Sequence, residues 1–381
     1  MRAPIDAAAV ERALMPFGHS RTLPAEAYTS SDLFAWERTH FFEDSWVCVG
    51  RSSDLEGAGA QKGLDIGGEG VLLVRGVDGE LRGFSNVCRH RAARILDGQG
   101  SCPKVLRCPY HGWTYRQDGQ LAAVPEARGF EDLDRDSVRL PAFRVGELSG
   151  MVFVCMSEET EPLDTYFGDL AEKLAPLRLA ELGAGPRIAN GYDHNWKVIT
   201  DNYLEGYHIP VGHPGLLRLL DYKRYVATPA KNHTWIDGPF RNKPSRNYQE
   251  RLYQKLLRPM KDFPEDLLGA WTYVHLWPAT FIDIYPDQID TWQLFPAGLR
   301  RTSTEARVYH SGSGAVRDRL VRAINWRVNT KVMAEDVELC DMVQLGLESR
   351  TYERGVLNRN ENGVLAFHDL LRQAVPGIDE P

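Results

Sequence analysis

The feature that most constrains this chain is a pair of short cysteine–histidine motifs between residues 88 and 113. The first is Cys88-Arg-His90, and the second is Cys108-Pro-Tyr-His111, which is followed by Gly-Trp. Each motif places one thiolate and one imidazole on a short turn, so the two turns together offer two sulfur and two nitrogen ligands. The fold must therefore bring two unequal loops, one Cys-x-His and one Cys-x-x-His, to the same point in space.

These four ligands are the set that a Rieske 2Fe–2S cluster needs, in which histidine replaces cysteine on one of the two irons. The alternative is a tetrahedral zinc site, which also takes two cysteines and two histidines. Zinc fingers usually pair Cys with Cys and His with His along the sequence, whereas each loop here mixes them. With Pro109 and Trp113 beside the second pair, the pattern closely resembles the Rieske family. We therefore predict a cluster bound by these four residues.

Length and composition limit the remaining possibilities. A chain of 381 residues is long enough for two domains. It has 43% hydrophobic residues, 25% charged residues and a formal net charge of -7, without the basic blocks of a nucleic-acid-binding protein. No apolar run reaches the length of a membrane span or a signal peptide, so we expect a cytoplasmic protein without a membrane partner. Four other cysteines are expected to be free buried thiols: Cys48, Cys102, Cys155 and Cys340.

Short apolar runs separated by Asp-Gly and other turn signals predict an antiparallel β domain over residues 45–157. The two ligand loops fall inside this domain, on a rigid scaffold that suits metal binding. Residues 1–44 form an N-terminal segment, which we expect to pack on the second domain. Within this segment a helix is predicted from Ser31 to about Phe42.

Residues 158–381 are predicted to form a second domain of helices and an antiparallel sheet. Residues 163–182 have the spacing of an amphipathic helix, and residues 187–198 that of a strand. Residues 216–270 have no clear pattern. Four β-rich runs follow: Thr272–Trp277, Thr280–Tyr285, Thr291–Phe295 and Arg301–His310. A long helix over about 315–350 closes the domain, so the expected fold class is α+β.

A second candidate site lies at residues 201–213, where His208 and His213 are close in sequence. Pro210 and Gly212 interrupt a helix between them, so a turn can direct both imidazoles towards one point. Two histidines near a helix end are often structural, so this pair alone is weak evidence for a metal site.

A mononuclear iron(II) oxygenase site takes two histidines and one carboxylate and leaves positions open for dioxygen. On the predicted helix 326–348, Asp336 lies near the centre of an apolar stripe. The stripe consists of Val332, Met333, Val337, Leu339, Cys340, Val343 and Leu347. The other acids of this segment fall on its polar side: Glu335, Glu338 and Asp341. Because a buried unpaired carboxylate is costly, Asp336 needs a metal or a cation beside it. A core salt bridge to Arg322 or Arg327 is the alternative to the metal.

Three features in this order resemble the catalytic α subunit of Rieske non-haem iron oxygenases. They are the cluster motif, the motif Asn-Tyr-x-Glu-x-Tyr-His-x-x-x-x-His at 202–213, and a late helix with Glu-Asp. The resemblance covers about residues 23–350. It implies an N-terminal β domain for the cluster and a C-terminal helix-grip (START-like) domain for a mononuclear iron. The iron ligands implied are His208, His213 and Asp336.

The resemblance also implies a head-to-tail homotrimer, because cluster and iron lie far apart within one subunit of that family. Heterologous contacts that close into a ring provide this arrangement. In the family, a carboxylate just before the first iron histidine bridges the two centres. By position it is Glu205 here, with His111 as its partner across the interface. Asp201 is the competing candidate, and Asn202 matches an asparagine often found near the iron, with no assigned role.

The activity implied is that of a terminal oxygenase. A flavin and iron–sulfur reductase, with or without a ferredoxin, passes electrons from NAD(P)H to the cluster, and O2 and a small substrate react at the iron. No feature that depends on a β subunit is readable, which resembles the α-only trimers that mostly hydroxylate or demethylate. Glutamate at position 205, where many members have aspartate, resembles the group that acts on carnitine, choline and betaines.

The substrate pocket is expected to draw on the strands at 271–295. Their aromatic residues are suited to hold a quaternary ammonium by cation–π attraction: Trp271, Tyr273, His275, Trp277, Tyr285 and Trp292. Aromatic residues on strands more often form a core or a pocket for an aromatic ring, so ring hydroxylation of an aromatic compound is the alternative. Two alternatives from other classes are an electron-transfer Rieske protein and a zinc hydrolase with the same two histidines and aspartate.

Overall fold

The computed structural model describes residues 3–8, 10, 19–101, 104–311, 314–373 and 375. The chain forms two compact units, one of residues 38–163 and the other of residues 1–37 and 164–381. The boundaries predicted from the sequence lie at 44/45 and 157/158. No helix in the described ranges is long and apolar enough to span a membrane.

The described residues of the unit 38–163 form ten antiparallel strands. They are β1 Val47–Arg51, β2 Ala60–Ile66, β3 Glu69–Arg75, β4 Leu81–Ser85, β5 Gly98–Ser101, β6 Leu106–Arg107, β7 Thr114–Tyr115, β8 Leu121–Ala123, β9 Ala142–Leu148 and β10 Met151–Cys155. Seven of them form one sheet in the order β1-β10-β9-β4-β3-β2-β5, and the other three form the sheet β6-β7-β8.

The core of this unit joins its sheets to the two cysteine-bearing loops. Leu72 of β3, Phe84 of β4 and Leu106 of β6 are buried in one cluster, and Cys88 and Cys108 belong to the same cluster. Both loops are therefore anchored by the core through their cysteines. The other cysteines of the described residues are also buried thiols: Cys48, Cys155 and Cys340. Cys102 lies outside the described residues.

The other unit is built on one seven-stranded antiparallel sheet. Its strands are β11 Gly183–Tyr192, β12 Val226–Ala230, β13 His233–Pro239, β14 Ala270–Leu276, β15 Thr280–Tyr285, β16 Gln288–Gly298 and β17 Arg301–His310. Their order in the sheet is β11-β17-β16-β15-β14-β13-β12. The named α-helices of the described residues are α1 Glu26–Thr29, α2 Ser31–Glu37, α3 Leu163–Tyr166, α4 Leu170–Leu174, α5 Trp196–Tyr203, α6 Ile209–Gly212, α7 Pro214–Leu219, α8 Tyr248–Leu256, α9 Val316–Leu347 and α10 Asn362–Gln373.

The long helix α9 packs over one face of this sheet. Val321 and Ile324 of α9 lie in one buried cluster with Trp271 of β14, Tyr285 of β15 and Ile209 of α6. Short helices are thus held between the sheet and the long helix, as in the predicted helix-grip arrangement. Together with the three antiparallel sheets described above, this arrangement confirms the α+β class.

Two local predictions are wrong. Residues 163–182 form short helices and turns rather than one helix, and Arg178 ends the helical path with a positive φ of 49°. The strand predicted over 187–198 ends at Tyr192 because Asn195 caps a helix, its side chain accepting a hydrogen bond from the N–H of Lys197 at 3.0 Å. The helix predicted from Ser31 is α-helical to Glu37 and continues as a π-helix over Arg38–Glu43.

Candidate metal centres and the adjoining cavity

The two cysteine-bearing loops have the same backbone despite their different spacing. In each loop the cysteine N–H donates to a carbonyl five residues on at 2.9 Å, and the cysteine carbonyl accepts from the N–H four residues on at 3.1 Å. That fourth residue is Ala92 in the first loop and Gly112 in the second, and both have positive φ, 56° and 75°. The two turns therefore present Cys88 and Cys108 equivalently.

The four predicted cluster ligands lie together, with Cys88 and Cys108 buried, His90 half-buried and His111 exposed. The ring centroids of His90 and His111 are 4.6 Å apart, and His90 stacks on Trp113 at 4.9 Å. Nδ1 of His90 is buried and has no hydrogen-bond partner among the described residues. Buried polar atoms normally have one, so this nitrogen fits a metal ligand. The donor set fits a Rieske cluster.

Tyr115 is a neighbour of the cluster ligands that the sequence reasoning missed. Its hydroxyl lies 3.2 Å from Sγ of Cys88 and accepts the N–H of Arg89 at 2.9 Å. Because the N–H already donates to the hydroxyl oxygen, the O–H proton can point at the sulfur. Burial raises the pKa of the Cys88 thiol and of the Tyr115 hydroxyl. A Tyr two residues after the Trp of the second motif was the available signal.

The second candidate metal site consists of His208, His213 and Asp336, whose potential ligand atoms all lie within 4.8 Å of one another. His208 precedes α6 and His213 follows it, so this short helix turns both imidazoles towards α9. Oδ1 of Asp336 is 2.9 Å from Nε2 of His213 and 3.7 Å from Nε2 of His208. Among the described ion pairs, Asp336 is thus paired with these histidines rather than with Arg322 or Arg327. The donors fit an iron(II) site.

Each of the two histidines has a second carboxylate on its other ring nitrogen. Oε1 of Glu205 is bonded to Nδ1 of His208, and Oε2 of Glu335 lies 2.9 Å from Nδ1 of His213. Such carboxylates fix the orientation of a ligating imidazole and raise its basicity. Burial lowers the pKa of His213, but Asp336 and Glu335 outweigh burial and leave the pKa above its usual value.

The position of Glu335 contradicts the prediction from the sequence, which assigned this residue to the polar side of the long helix. It is half-buried and bonded to His213, whereas Val343, predicted in the apolar stripe, is 51% exposed. The face towards the histidines is therefore rotated from the predicted stripe. Asp341 also has a specific partner, since its Oδ1 lies 2.7 Å from Nε2 of the buried His194.

Asp201 and Asn202 occupy different surroundings. The carboxylate of Asp201 accepts a hydrogen bond from the Tyr28 hydroxyl and lies 3.0 Å from Nε2 of His368. It is not among the described residues that line the cavity beside the iron site, whereas Asn202 and Glu205 are. Asp201 therefore joins α5 to α1 and α10.

The cavity beside the three iron-ligand candidates has a volume of about 180 Å³ and lies between the sheet and α9. Of the aromatic residues predicted for it, Tyr273, Tyr285 and Trp292 line the wall. The other three lie in the core instead: Trp271, His275 and Trp277. Burial accordingly lowers the pKa of His275 to about 4.

The sequence reasoning missed Asp283, a carboxylate in the aromatic wall. It lies on β15 between Phe281 and Tyr285, and the alternation of a strand puts all three on the cavity side. Tyr203 donates to Oδ1 at 2.6 Å, and the indole N–H of Trp292 donates to Oδ2 at 2.8 Å. Burial raises the pKa of Asp283 to about 6, although these donors oppose the shift. An Asp inside an alternating apolar strand was the signal.

The chain was compared with models of known families. The model of the Rieske [2Fe-2S] domain matches residues 45–143, and the model of the ring hydroxylating alpha subunit (catalytic domain) matches residues 179–377. These two matches cover the cluster loops and the cavity with its three metal-ligand candidates.

Relatives and solved structures match along nearly the whole chain. The carnitine monooxygenase oxygenase subunit of Acinetobacter pittii (strain PHEA-2) is 31% identical over 364 residues, which cover 92% of this chain and 94% of that protein. The chloroplastic choline monooxygenase of Arabidopsis thaliana is 26% identical over 374 residues, which cover 94% and 83%. A crystal structure of the quaternary ammonium Rieske monooxygenase CntA with its substrate L-carnitine has a TM-score of 0.80 at 27% identity and covers 97% of this chain and 99% of that chain.

Proposed function

This chain belongs to the ring-hydroxylating alpha subunits that carry a Rieske domain, and we propose that it oxidises a quaternary ammonium compound. As a member of this family it is an oxygenase component with a Rieske cluster and a mononuclear iron. It acts with O2, a small-molecule substrate and a reductase. Family membership sets aside the zinc hydrolase and the simple electron carrier.

We assign the cluster to Cys88, His90, Cys108 and His111, and the iron to His208, His213 and Asp336. The cluster supplies electrons, and an iron(II) with two histidines and one carboxylate keeps positions open for dioxygen. Glu205 and Glu335 hold the two iron-site imidazoles by their Nδ1 atoms, so that both Nε2 atoms face Asp336. For hydroxylation of one C–H bond, O2, two electrons and two protons give one hydroxylated product and one water.

The observation that carries the substrate class is the lining of the cavity. Tyr203, Tyr273, Tyr285 and Trp292 supply aromatic rings around one carboxylate, Asp283. Aromatic rings attract a quaternary ammonium by about 0.5–2 kcal/mol each, most strongly when water is excluded. The relatives named for carnitine and choline monooxygenation support the same class. Oxidation of an aromatic compound is the second candidate, because the same rings can stack on a flat substrate.

We also infer that the working form is a head-to-tail homotrimer. His111 is exposed at the tip of the second cluster loop, where another molecule can contact it. Glu205 lines the cavity and is bonded to His208, which suits a carboxylate that links a neighbour's His111 to the iron site. Heterologous contacts that close into a ring satisfy both requirements.

Two measurements test the proposed function. Iron and acid-labile sulfide analysis should give about three irons and two sulfides per chain, as one 2Fe–2S cluster and one further iron require. With a surrogate reductase, NADH oxidation should be coupled to O2 uptake by carnitine, choline or glycine betaine, and not by aromatic acids. Coupled turnover of an aromatic acid with none of the ammonium compounds would replace the first candidate by the second.

A further inference from the structure

We propose that Asp283 is the counter-ion of the substrate's ammonium group, and that the cavity selects substrates with a net positive charge over zwitterions. The inference rests on the proposed function, since it specifies the charge of the compound that the same cavity takes.

Asp283 is a buried carboxylate with only uncharged partners among the described residues. Tyr203 donates at 2.6 Å, Trp292 at 2.8 Å and Tyr285 at 3.3 Å. These three donors use three of about four lone-pair sites on the carboxylate and leave its negative charge uncompensated. Burying an uncompensated charge is expensive, which favours a cationic ligand as the missing partner.

The same hydrogen bonds arrange aromatic rings around the carboxylate. Tyr203, Tyr285 and Trp292 each donate a hydrogen bond to Asp283. Their rings therefore surround this carboxylate on the cavity wall. The ring of Tyr203 is also 4.3 Å from that of Phe281. A quaternary ammonium accepts no hydrogen bond and donates none, so a cage of rings with a negative charge behind it suits its chemistry.

The charges on the cavity wall favour a substrate without an anionic end. Of the described residues that line the cavity, three are carboxylates, Glu205, Asp283 and Asp336, and none is Lys or Arg. Glu205 and Asp336 are bonded to His208 and His213, so Asp283 is the carboxylate left for the substrate. The carboxylate of a zwitterion would find no lysine or arginine on this wall, and Asp283 would repel it.

Equilibrium binding to the anaerobic oxidised holoenzyme, measured by calorimetry, tests the inference with three probes of similar size. Choline carries one positive charge, 3,3-dimethylbutan-1-ol is its neutral carbon isostere, and glycine betaine is a zwitterion. We expect choline to bind at least about tenfold more tightly than either of the others, a difference of about 1.4 kcal/mol. This comparison needs only the wild-type protein.

The substitution Asp283→Asn removes the charge and keeps the shape. It should weaken choline binding by at least about tenfold and leave the neutral alcohol within about twofold. The matched control is Asp287→Asn, because Asp287 is a buried aspartate of the same hairpin that is bonded to Tyr253 and Asn325 and does not line the cavity. It should bind choline as the wild type does, and the visible cluster spectrum should report intact protein in both variants.

The outcomes separate the inference from the proposed function. Failure of the wild type to bind or oxidise any ammonium compound would overturn the proposed function. Oxidation of an ammonium compound, together with unchanged choline affinity in Asp283→Asn, would overturn the role of Asp283 alone. Tighter binding of glycine betaine than of choline would overturn the preference for a net cation.

Discussion

At the scale of single residues, the proposed iron site depends on which ring nitrogen of each histidine is bonded to a carboxylate. Glu205 and Glu335 take the Nδ1 atoms of His208 and His213, so the Nε2 atoms remain for a metal shared with Asp336. The two carboxylates come from different places in the sequence: Glu205 precedes His208 by three residues, whereas Glu335 lies on α9, far from His213 in sequence. For this reason only Glu205 could be identified from a sequence motif.

Replacing Asp336 by Ala should abolish product formation, with a loss of at least about a hundredfold, since even the outer partners of metal ligands cost up to that factor. The visible spectrum of the cluster should be unchanged, because its proposed ligands lie in the other compact unit. The measurement is coupled O2 uptake together with metal analysis.

The control for that substitution is Glu338→Ala, an exposed acid on the same helix. It should leave turnover and the iron content near the wild-type values. Retained turnover in Asp336→Ala would remove Asp336 from the proposed ligand set.

Replacing Tyr115 by Phe should lower the reduction potential of the cluster. A hydrogen bond to a cluster sulfur favours the more negative reduced state, and the Tyr115 hydroxyl lies 3.2 Å from Sγ of Cys88. If the bond is worth about 1 kcal/mol, the shift is roughly 40 mV for a one-electron couple. Spectroscopic redox titration measures it. Tyr110→Phe, which removes an exposed hydroxyl near the same loop, is the control, and an equal potential in Tyr115→Phe and wild type would contradict the prediction.

At the scale of elements, the hairpin of β15 and β16 contains three buried aspartates. Asp283, Asp287 and Asp290 are all buried, and burial raises the pKa of each, to about 6 for Asp283 and Asp287. Asp287 is held by the Tyr253 hydroxyl at 2.7 Å and by Asn325 of α9 at 3.0 Å. It thereby ties the hairpin to α8 and α9, away from the cavity.

This raised pKa makes the stability of the unit depend on pH. A folded pKa of about 6 lies above the unfolded value of about 3.9 for Asp, so the folded state binds the proton more tightly. The contribution of Asp287 is therefore fully present below about pH 4 and is lost as the pH rises through 6. With 1.36 kcal/mol per pKa unit, we expect an effect of roughly 3 kcal/mol.

The substitution Asp287→Asn should remove this pH dependence while keeping an acceptor for Tyr253. Relative to the wild type, the variant should gain stability between pH 4 and pH 7, as measured by denaturant unfolding at each pH. The difference between the two proteins is the useful quantity, because His275, with its pKa lowered to about 4, contributes the opposite pH dependence in both. A difference that stays constant with pH would contradict the assignment.

The elements also show what the sequence could and could not predict. Helical periodicity predicted the face of the long helix on which Asp336 lies, beside the two histidines. The exact angle of that face depends on packing, and so Glu335 was misassigned. The strand predicted over 187–198 was wrong in its last residues, because the side-chain cap at Asn195 outweighed the β preference of the residues that follow it. Asp283 was missed because its proposed role depends on rings from α5 and β16 that only the fold brings to it.

At the scale of the whole molecule, the cluster loops and the iron site belong to different compact units, and electrons must pass from one to the other. We propose that they do so between neighbouring subunits, through His111 and Glu205. Each subunit then depends on the cluster of a neighbour. This dependence can be tested with one chain that keeps only the cluster and another that keeps only the iron site.

Two inactive variants should therefore restore activity in a mixed trimer. Cys108→Ser removes a cluster ligand and keeps the iron site, whereas Asp336→Ala removes an iron ligand and keeps the cluster. The two variants are coexpressed with different tags, and trimers that contain both are purified through the two tags in turn. In every such trimer, one interface joins the intact cluster of one subunit to the intact iron site of its neighbour. Such trimers should reach roughly a third of the wild-type turnover per trimer.

The control is the two variants expressed apart and then mixed without exchange of subunits, which should stay inactive. If electrons instead passed within one chain, the mixed trimers would be as inactive as that control, because neither chain has both centres.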